Sequence, residues 1–419
     1  MEKLRIHGPC RLEGSIRASG AKNAALPILA AALLTDQPMA IRHLPGVRDI
    51  RTMTRLLEIL GKRTDRSNGH LEIRSGGDDA ADDAPYELVK TMRASVLVLG
   101  PLLALRGHAR VSLPGGCAIG VRPVDQHLAG LEALGARVEL EHGNITATCD
   151  RLRGTRFRFA TRTVGGTENV MMAATLARGT TVLENCAREP EIIDLARLLT
   201  AMGARIDGAG GDRIEIEGVE ALHGAEHDVI PDRIEAGTYL IGSAMTAGDV
   251  TMEGTRPADL APLLDKLEEA GAEVTRAETS VRVRHGGGLQ PCSIVTEPHP
   301  GFPTDLQAQF LALMTQADGA STVTETVFEN RFQHVPELMR MGADVRVERK
   351  VTALVQGCTE LSGSPVMATD LRASACLVLA GLVADGTTVV DRIYHLDRGY
   401  EQMESKLQSL GARVDRFND

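Results

Sequence analysis

Leu131-Glu-Ala-Leu-Gly135-Ala-Arg-Val138 decides the fold, because variants of this stretch recur at intervals of about 70 residues, longer than the roughly 20–50 residues of a solenoid repeat. The other copies are Leu57-Glu-Ile-Leu-Gly61, Leu199-Thr-Ala-Met-Gly203-Ala-Arg-Ile206, Leu267-Glu-Glu-Ala-Gly271-Ala-Glu-Val274, Leu338-Met-Arg-Met-Gly342-Ala-Asp-Val345 and Leu407-Gln-Ser-Leu-Gly411-Ala-Arg-Val414. In each copy a glycine follows the last apolar position of a helical pattern, which predicts a helix ending in left-handed backbone and then a half-buried strand. The sequence therefore predicts an α/β fold built from six copies of one small module.

A second helix is predicted upstream of each copy, with polar residues at its start and a broad apolar stretch after them. These segments are 21–29, 92–99, 167–172, 233–239, 305–310 and 370–376. Helices that are apolar on most faces must lie inside a layer. We therefore expect their N-termini to be the parts that present charge.

The length of 419 residues exceeds what one hydrophobic core usually holds, so two lobes of three modules each are the simplest division. The polar, turn-prone stretch 222–231 follows the third module and predicts the crossing between the lobes. Tryptophan is absent and aromatic residues make up only 3% of the chain, so the cores must consist of Leu, Val, Ile, Met and Ala.

Composition excludes several classes of function. The net charge of −10 and the lack of an aromatic-basic stretch argue against nucleic-acid binding. The apolar runs are too short to cross a bilayer and the start of the chain lacks a signal-peptide pattern, which predicts a cytoplasmic protein without membrane insertion. Seven cysteines without paired spacing, and histidines without an HExxH pattern, favour reduced thiols and no metal site.

Cys117 lies in Leu113-Pro-Gly-Gly-Cys-Ala-Ile-Gly120, where one proline and three glycines disfavour regular structure. A thiol on such a loop should be accessible, and the charge of nearby Arg122 would favour the thiolate. The alternative interpretation is an ordinary turn with an incidental cysteine.

Several cationic and amide side chains occur at helix starts or between modules, where the repeated architecture could gather them around anionic ligands. They are Lys22, Asn23, Arg48, Arg93, Arg122, Arg331, Arg372 and Arg398. Helix N-termini and arginine forks both bind oxyanions, although a single arginine is more often a solvated surface charge. Asp305 offers a carboxylate at a helix start, with a structural N-cap as the alternative.

Several motifs in order resemble those of the enolpyruvyl transferase family, and within it the UDP-N-acetylglucosamine 1-carboxyvinyltransferases. They are Gly20-Ala-Lys-Asn-Ala-Ala-Leu-Pro-Ile, Lys90-Thr-Met-Arg-Ala-Ser, Pro114-Gly-Gly-Cys-Ala-Ile-Gly-Val-Arg-Pro-Val-Asp125, Phe302-Pro-Thr-Asp-Leu-Gln-Ala-Gln309, Glu325-Thr-Val-Phe-Glu-Asn-Arg331-Phe and Asp397-Arg-Gly-Tyr400. The resemblance runs from about Leu4 to the C-terminus. It implies two lobes, each an inside-out α/β barrel of three modules, with the active site between them. It further implies that residues 21–230 form the first lobe, which carries the Cys117 loop, and that residues 1–20 and 231–419 form the second.

The reaction implied by the resemblance moves the enolpyruvyl group of phosphoenolpyruvate to the 3′-hydroxyl of UDP-N-acetylglucosamine, releasing phosphate in the first committed step of peptidoglycan synthesis. Addition followed by elimination through a tetrahedral intermediate requires an acid and a base. The family pattern implies Cys117 as proton donor, Asp305 as the carboxylate that takes or orients the hydroxyl proton, and Lys22 and Arg398 as further catalytic residues. The residues implied to hold phosphoenolpyruvate are Lys22, Asn23, Arg122, Arg331, Arg372 and Arg398. No metal or other cofactor is required.

The residues implied to bind the nucleotide sugar are Asn23, Arg93, Arg122, Pro123, Val124, Asp125, Gln126, Thr161, Arg162, Thr163, Val164, Asp305 and Val327. This chain departs from some relatives, because Thr161 followed by Arg162 stands where they carry a lysine, and Arg48 also replaces a lysine. Arginine preserves the charge at such a position but changes the hydrogen-bond geometry.

The glycine-rich Cys117 loop is also expected to close as a lid over the nucleotide sugar, and its thiol to be the covalent target of the epoxide fosfomycin. Three alternatives are open at this point. One is the shikimate-pathway enolpyruvyl transferase, another is a noncatalytic UDP-sugar sensor on the same scaffold, and the last is a purely architectural interaction scaffold.

Overall fold

The structure is a computed structural model that describes residues 2–76, 83–89, 92–113 and 124–418. The helices of these residues are α1 (Lys22–Ala31), α2 (Arg48–Ile59), α3 (Tyr86–Val89), α4 (Leu99–Arg106), α5 (Asp125–Ala133), α6 (Val164–Ala174), α7 (Pro190–Ala201), α8 (Arg233–Met245), α9 (Ala261–Glu269), α10 (Gln307–Met314), α11 (Val335–Arg340), α12 (Leu371–Val383) and α13 (Met403–Ser409). Short 3₁₀ helices cover Ala32–Leu34, Arg93–Val98, Pro257–Leu260, Thr304–Leu306 and Leu396–Arg398.

The strands of the same residues are β1 (Glu2–Gly8), β2 (Glu13–Arg17), β3 (Met39–Arg42), β4 (Lys62–Ser67), β5 (His70–Ser75), β6 (Asp83–Ala84), β7 (His108–Ser112), β8 (Arg137–Glu141), β9 (Asn144–Thr148), β10 (Arg156–Arg158), β11 (Thr180–Glu184), β12 (Arg205–Asp207), β13 (Arg213–Glu217), β14 (Glu226–Asp228), β15 (Asp249–Glu253), β16 (Glu273–Arg276), β17 (Ser280–Arg284), β18 (Ile294–Val295), β19 (Ala320–Thr324), β20 (Asp344–Glu348), β21 (Thr352–Gln356), β22 (Pro365–Met367), β23 (Gly386–Asp391) and β24 (Arg413–Asn418).

The six repeated glycines end their helices as the sequence predicts. Their φ angles lie between +91° and +102°, the left-handed region in which glycine avoids the Cβ clash of other residues. The strand after each glycine is in every case an edge strand, namely β4, β8, β12, β16, β20 or β24. The prediction of six helix-stop-strand units is confirmed.

The strands form six four-stranded sheets of one design. Each sheet has a parallel pair at one edge, followed by two antiparallel pairs. The strand orders are β14-β3-β5-β4, β6-β7-β9-β8, β10-β11-β13-β12, β2-β15-β17-β16, β18-β19-β21-β20 and β22-β23-β1-β24. Along many strands buried and exposed residues alternate, as expected where one face of a sheet meets water.

Three sheets contain a strand from a distant part of the chain, one of them through the parallel pairing of β2 with β15. β1 lies between β23 and β24, with Glu2 opposite Asn418. β14 pairs in parallel with β3 through Glu226 and Ala40. The first and last segments of each group of three modules therefore share a sheet.

The helix before each glycine-terminated unit is buried on nearly all sides, as the sequence predicts for α1, α6, α8, α10 and α12. In the second module the predicted helix is a 3₁₀ helix, Arg93–Val98, that continues into α4. The helices α8, α10 and α12 contact one another, and α6 contacts α1 and α4. Central helices with sheets around them agree with the predicted α/β fold class of six modules.

The chain contacts divide the described residues into two compact units. One unit contains residues 2–19 and 231–418, and the other contains the described part of 20–230. Each unit has its own core of mainly aliphatic side chains. The core of residues 2–19 and 231–418 also contains Tyr239 and Phe310, and the core of the other unit contains Phe159. Within the described parts of the chain, we find no helix with both the length and the apolar character needed to cross a bilayer.

Candidate functional site

Asp305 is the centre of a cluster of charges in the unit that contains residues 231–418. It lies in the 3₁₀ helix Thr304–Leu306 that leads into α10. Arg331 donates to its Oδ1 at 2.6 Å, and Arg372 donates to its Oδ2 at 2.8 Å. We call these three residues the Asp305 cluster.

Burial makes the Asp305 cluster a strong electrostatic element. The side chains of Arg331 and Arg372 are only 3% and 5% exposed, whereas that of Asp305 is 25% exposed. Burial acts to lower the pKa of Arg372, but the charge of Asp305, its hydrogen bond and other nearby groups such as Asp232 together hold that pKa above its ordinary value. The cluster therefore presents a partly exposed carboxylate whose two oxygens are held by buried cations.

The N-cap interpretation of Asp305 is wrong. The N-cap position of its 3₁₀ helix is Pro303, and the Asp305 carboxylate binds two arginines instead of backbone N–H groups. Capping is performed nearby by Asp370, which accepts from the backbone N–H groups of Arg372 and Ala373. That cap fixes the start of α12 and with it the base of the Arg372 side chain.

Glu325 positions Val327, one of the residues predicted to bind the nucleotide sugar. Its buried carboxylate accepts from the backbone N–H groups of Val327 and Phe328 at 2.8 and 3.0 Å. It also accepts from the hydroxyl of Thr304 at 2.7 Å, beside Asp305 in the chain. The sequence motif contains Glu325 but indicated no role for it, because its burial and its partners are visible only in the structure.

Arg398 is half-buried and ends the 3₁₀ helix Leu396–Arg398. This short helix packs against α12. Asp397, next to Arg398, accepts from Arg416 at 2.7 and 3.1 Å, which anchors this short helix to the last strand. The element that carries Arg398 is thus packed on the helix that carries Arg372.

Lys22 is the cation at the start of α1 in the other unit. Its side chain is 11% exposed, and its Nζ lies 3.5 Å from Oδ2 of Asp49, in the first turn of α2. Asn23 follows it on α1 and is half-buried, whereas Arg48 at the start of α2 is exposed. Asp49 was missed by sequence reasoning, because an acid in the first turn of a helix is common without any ligand.

Residues 124–126 and 161–164, which are predicted to bind the nucleotide sugar, are brought together at the N-termini of α5 and α6. The backbone N–H of Ala160 donates to Oε1 of Gln126 at 2.8 Å, which ties the two segments. Asp125 begins α5 and is exposed, and Thr163 caps α6 by accepting from the N–H of Gly166. Two helix N-termini are a suitable environment for phosphate oxygens.

Arg162 is held by an acid that the sequence did not reveal. It donates to Oδ1 of Asp212 at 2.6 Å, and Arg188 reaches the same oxygen at 3.3 Å. The hydrogen bond from Arg162 lowers the pKa of Asp212. An anion that binds Arg162 must therefore compete with this carboxylate, while Thr161 is exposed beside it.

His127 is a buried neutral base behind the Gln126 segment. Burial lowers its pKa to about 4, with the charge of Asp125 opposing and that of Arg93 adding to the shift. Nδ2 of Asn169 donates to its Nδ1 at 3.0 Å, so the ring proton belongs on Nε2. The ring lies against Gly165 at the start of α6, where an added Cβ would come within 3.2 Å of it. These contacts favour a structural role for His127 in the nucleotide-sugar segment.

Three of the predicted site residues, Cys117, Arg122 and Pro123, lie outside the described residues, so the proton donor and the lid stay predictions. The six described cysteines are unpaired thiols. Across the described ranges, no three His, Cys, Asp or Glu side chains are grouped so that they could hold a metal ion.

A family profile described as EPSP synthase (3-phosphoshikimate 1-carboxyvinyltransferase) matches residues 6–407 of the chain. Among curated proteins, the UDP-N-acetylglucosamine 1-carboxyvinyltransferase of Anaeromyxobacter sp. (strain Fw109-5) is 58% identical over 421 residues, 99% of each chain. The protein of the same name from Anaeromyxobacter dehalogenans (strain 2CP-1) is 57% identical over 99% of each chain.

Solved structures agree on the fold. The enolpyruvyl transferase NikO from Streptomyces tendae superposes with a TM-score of 0.89 at 27% identity, covering 100% of this chain and 99% of NikO. An EPSP synthase from Acinetobacter baumannii gives 0.77 at 17% identity over the whole of both chains, which supports the fold alone. The 58% identity over 99% of the chain and the profile match over residues 6–407 show that the chain belongs to the enolpyruvyl transferase family, and within it to the UDP-N-acetylglucosamine 1-carboxyvinyltransferases.

Proposed function

We propose that this protein transfers the enolpyruvyl group of phosphoenolpyruvate to the 3′-hydroxyl of UDP-N-acetylglucosamine, the first committed step of peptidoglycan synthesis. The 58% identity over nearly the whole chain to a protein of that name supports this choice of reaction. The structural observation that carries it is the Asp305 cluster, because a carboxylate with both oxygens held by buried arginines is fixed in position to orient or accept the hydroxyl proton of the sugar.

In the addition step the sugar oxygen bonds to C2 of phosphoenolpyruvate while a proton is delivered to C3. In the elimination step a base takes a proton from C3, the C2–C3 double bond forms again and the bond from C2 to the phosphate oxygen breaks, which releases inorganic phosphate. Asp305 takes or orients the hydroxyl proton of the sugar, and Cys117 donates the proton to C3. After this donation Cys117 is a thiolate, which a cation such as Arg122 would stabilise.

Phosphoenolpyruvate carries a phosphate and a carboxylate, so its site requires several cations. We assign this task to Lys22, Arg122, Arg331, Arg372 and Arg398, with Asn23 as a polar contact. Guanidinium forks can bind such oxyanions with two parallel hydrogen bonds, and they would also stabilise the charge of the intermediate. Neither a metal nor another cofactor is needed for this charge balance.

The nucleotide sugar is assigned to the N-termini of α5 and α6, together with Arg93, Val327 and the loop that contains Arg162. The hydrogen bond between Ala160 and Gln126 supports this assignment, because it joins the two predicted segments into one surface. Pro123 and Val124 would complete the segment on its N-terminal side.

We propose two lobes, 21–230 and 1–20 with 231–419, and that both contribute residues to the reaction. The Cys117 loop would act as a lid that excludes water once the nucleotide sugar is bound.

We also propose a cytoplasmic location, which the unpaired described thiols support, and covalent inhibition by fosfomycin at Cys117.

Three rival functions have weaker support. The shikimate-pathway transferase of Acinetobacter baumannii shares only 17% identity with this chain, against 58% for the nucleotide-sugar relative. A noncatalytic UDP-sugar sensor would have no need for the buried guanidiniums that orient Asp305. An interaction scaffold would leave the charges at the module junctions without a purpose.

Phosphate release from phosphoenolpyruvate tests the proposal. We expect release with UDP-N-acetylglucosamine as acceptor, none with shikimate 3-phosphate, and a large loss in the Cys117→Ala variant. Phosphate release with shikimate 3-phosphate as acceptor, and none with UDP-N-acetylglucosamine, would favour the shikimate-pathway function. Binding of UDP-N-acetylglucosamine without any release would favour the sensor.

A further inference from the structure

Three polar side chains meet inside the apolar core directly behind the Asp305 cluster. The hydroxyl groups of Thr238 on α8 and Tyr400 lie 2.9 Å apart. Nε2 of Gln309 on α10 donates to the Thr238 hydroxyl at 3.1 Å and to the Tyr400 hydroxyl at 3.0 Å. We call these three residues the core triad.

The core triad reaches both members of the Asp305–Arg372 ion pair. Nε2 of Gln309 also lies 3.2 Å from the backbone carbonyl of Asp305, so its two amide hydrogens are shared among three acceptor oxygens. The guanidinium carbon of Arg372 lies 5.6 Å from the centre of the Tyr400 ring, within the range of a cation–π contact. One end of the triad therefore holds the backbone of Asp305 and the other supports the side chain that binds its carboxylate.

Burial makes the geometry of the triad strict. All three residues are at most 2% exposed, and a buried polar group that loses its partner is unfavourable. Burial also raises the pKa of Tyr400, against the lowering effect of Arg372, so its hydroxyl remains protonated and available as a donor. The triad joins α8 to α10, which follows Asp305 in the chain, and to the segment after Arg398.

We propose that Tyr400, Gln309 and Thr238 are positioning residues that hold Asp305 and Arg372 in their reactive arrangement. This inference rests on the proposed enolpyruvyl transfer. None of the three is assigned a contact with substrate, so their effect passes through Asp305 and Arg372. Small displacements of a catalytic group can cost large factors in rate, which gives such a network its value.

Tyr239 provides a matched control beside the triad. It follows Thr238 on α8, is fully buried in the same core, and its hydroxyl has no hydrogen-bond partner among the described residues. Tyr239→Phe therefore removes the same atom from the same core without breaking the triad.

Steady-state kinetics of the full chain with UDP-N-acetylglucosamine and phosphoenolpyruvate test the inference, together with the Tm of each variant. We expect Tyr400→Phe and Thr238→Val each to lower kcat by roughly 3- to 10-fold, the factor of one hydrogen bond, with KM for the nucleotide sugar nearly unchanged. Because the residues act as a unit, the double variant should lose little more than either single variant. Tyr239→Phe should retain the kcat of the wild type.

The proposed function and the positioning inference fail in different ways. A wild-type protein without turnover overturns the function, whereas an active wild type with unchanged kcat in Tyr400→Phe overturns the positioning role alone. An equal loss of kcat in Tyr239→Phe would also overturn it, because the cause would then be a general change in the core. If Tyr400→Phe does not fold, the kcat of Thr238→Val decides in the same way.

Discussion

Asp305 is charged, partly buried and assigned a direct role in the proposed reaction. We expect Asp305→Asn to lower kcat/KM by roughly 10²- to 10⁴-fold, the usual contribution of a general base. The same change removes the carboxylate that the buried Arg331 and Arg372 both bind, so the free energy of unfolding should fall by about 3 kcal/mol. Turnover assays and urea denaturation measure the two effects.

Asp249 supplies the control for this substitution. Its side chain is 26% exposed, close to the value for Asp305, but its partner Arg282 is 47% exposed and lies on a sheet surface. Asp249→Asn should therefore change the free energy of unfolding by less than about 1 kcal/mol and leave turnover intact. Equal destabilisation by the two variants would mean that burial of the arginines is unimportant.

Thiol reactivity is a second prediction at the level of single residues. Burial raises the pKa of Cys186 and Cys292 to about 12, and that of Cys376 also rises. Exposed Cys358 is restrained by a hydrogen bond to Asp318, which raises its pKa. At pH 7 fosfomycin should therefore modify Cys117, since the thiolate is the reactive form.

Mass spectrometry of peptides from treated protein checks the site of modification. Cys117→Asp should lose the adduct and keep turnover, because a carboxylic acid can also donate a proton. Undiminished labelling of Cys117→Asp, for example at Cys358, would show that another thiol is the target.

At this scale the sequence indicated the site residues but not their partners. Asp305, Arg331 and Arg372 could be proposed from motifs, yet the contacts that join them span 26 and 67 positions of the chain. Asp49, Asp212 and Glu325 could not be selected, because a lone acid at a helix start or in a loop has no local pattern that reveals its partner.

At the scale of secondary-structure elements, the glycine that ends each repeated helix could be predicted because its conformation is a local property. Gly135 has a φ of +96° and an added Cβ would meet nothing within 4 Å, so Gly135→Ala isolates backbone strain from steric clash. We expect the free energy of unfolding to fall by about 1 kcal/mol. Gly286 is equally open but lacks a positive φ, so Gly286→Ala should be neutral or slightly stabilising in the same urea titration. A neutral Gly135→Ala would show that the left-handed turn is not needed.

The buried face of α6 carries an acid that gives a prediction for pH. Burial raises the pKa of Glu168 well above 4.5, and the charges of Glu191 and Glu189 raise it further. The folded state thus keeps the proton while the unfolded state loses it, so the contribution of Glu168 is complete below pH 4.5 and is lost as the pH rises toward the folded pKa. Relative to the wild type, Glu168→Gln should gain stability between pH 5 and pH 8.

Urea titrations at pH 5 and pH 8 measure that gain. Glu220 is the control, because hydrogen bonding to Arg151 lowers the pKa of this exposed carboxyl, so Glu220→Gln should show no gain at pH 8. A stability difference between Glu168→Gln and the wild type that does not change with pH would contradict the protonated state of Glu168.

At the scale of the whole molecule, six modules follow from the repeated stretches, but the closure of each group of three does not. Repeat counting cannot show that β1 completes a sheet with β23 and β24, because that pairing joins opposite ends of the chain. The expectation came only from the resemblance to the family. Neither repeat counting nor the resemblance predicted that β14 pairs with β3 across most of its unit.

This closure predicts which fragments fold. Residues 231–418 alone lack β1, the inner strand of one sheet, and β2, the edge strand of another. They also lose Leu4 and Ile6, which are fully buried. A chain in which an Asn-Gly turn joins residue 418 to residue 2, and which ends at residue 19, restores both strands, because Glu2 already lies opposite Asn418.

We expect the rearranged chain, 231–418 followed by 2–19, to unfold in one cooperative urea transition, and the fragment 231–418 to be largely unfolded or aggregated. The fragment 20–230 is the positive control, since it contains both β3 and β14 and closes its own sheet. Circular dichroism and the urea dependence of the signal distinguish these states. A fragment 231–418 that unfolds as cooperatively as the rearranged chain would show that β1 and β2 are dispensable, because the missing inner strand would then cost the unit no measurable stability.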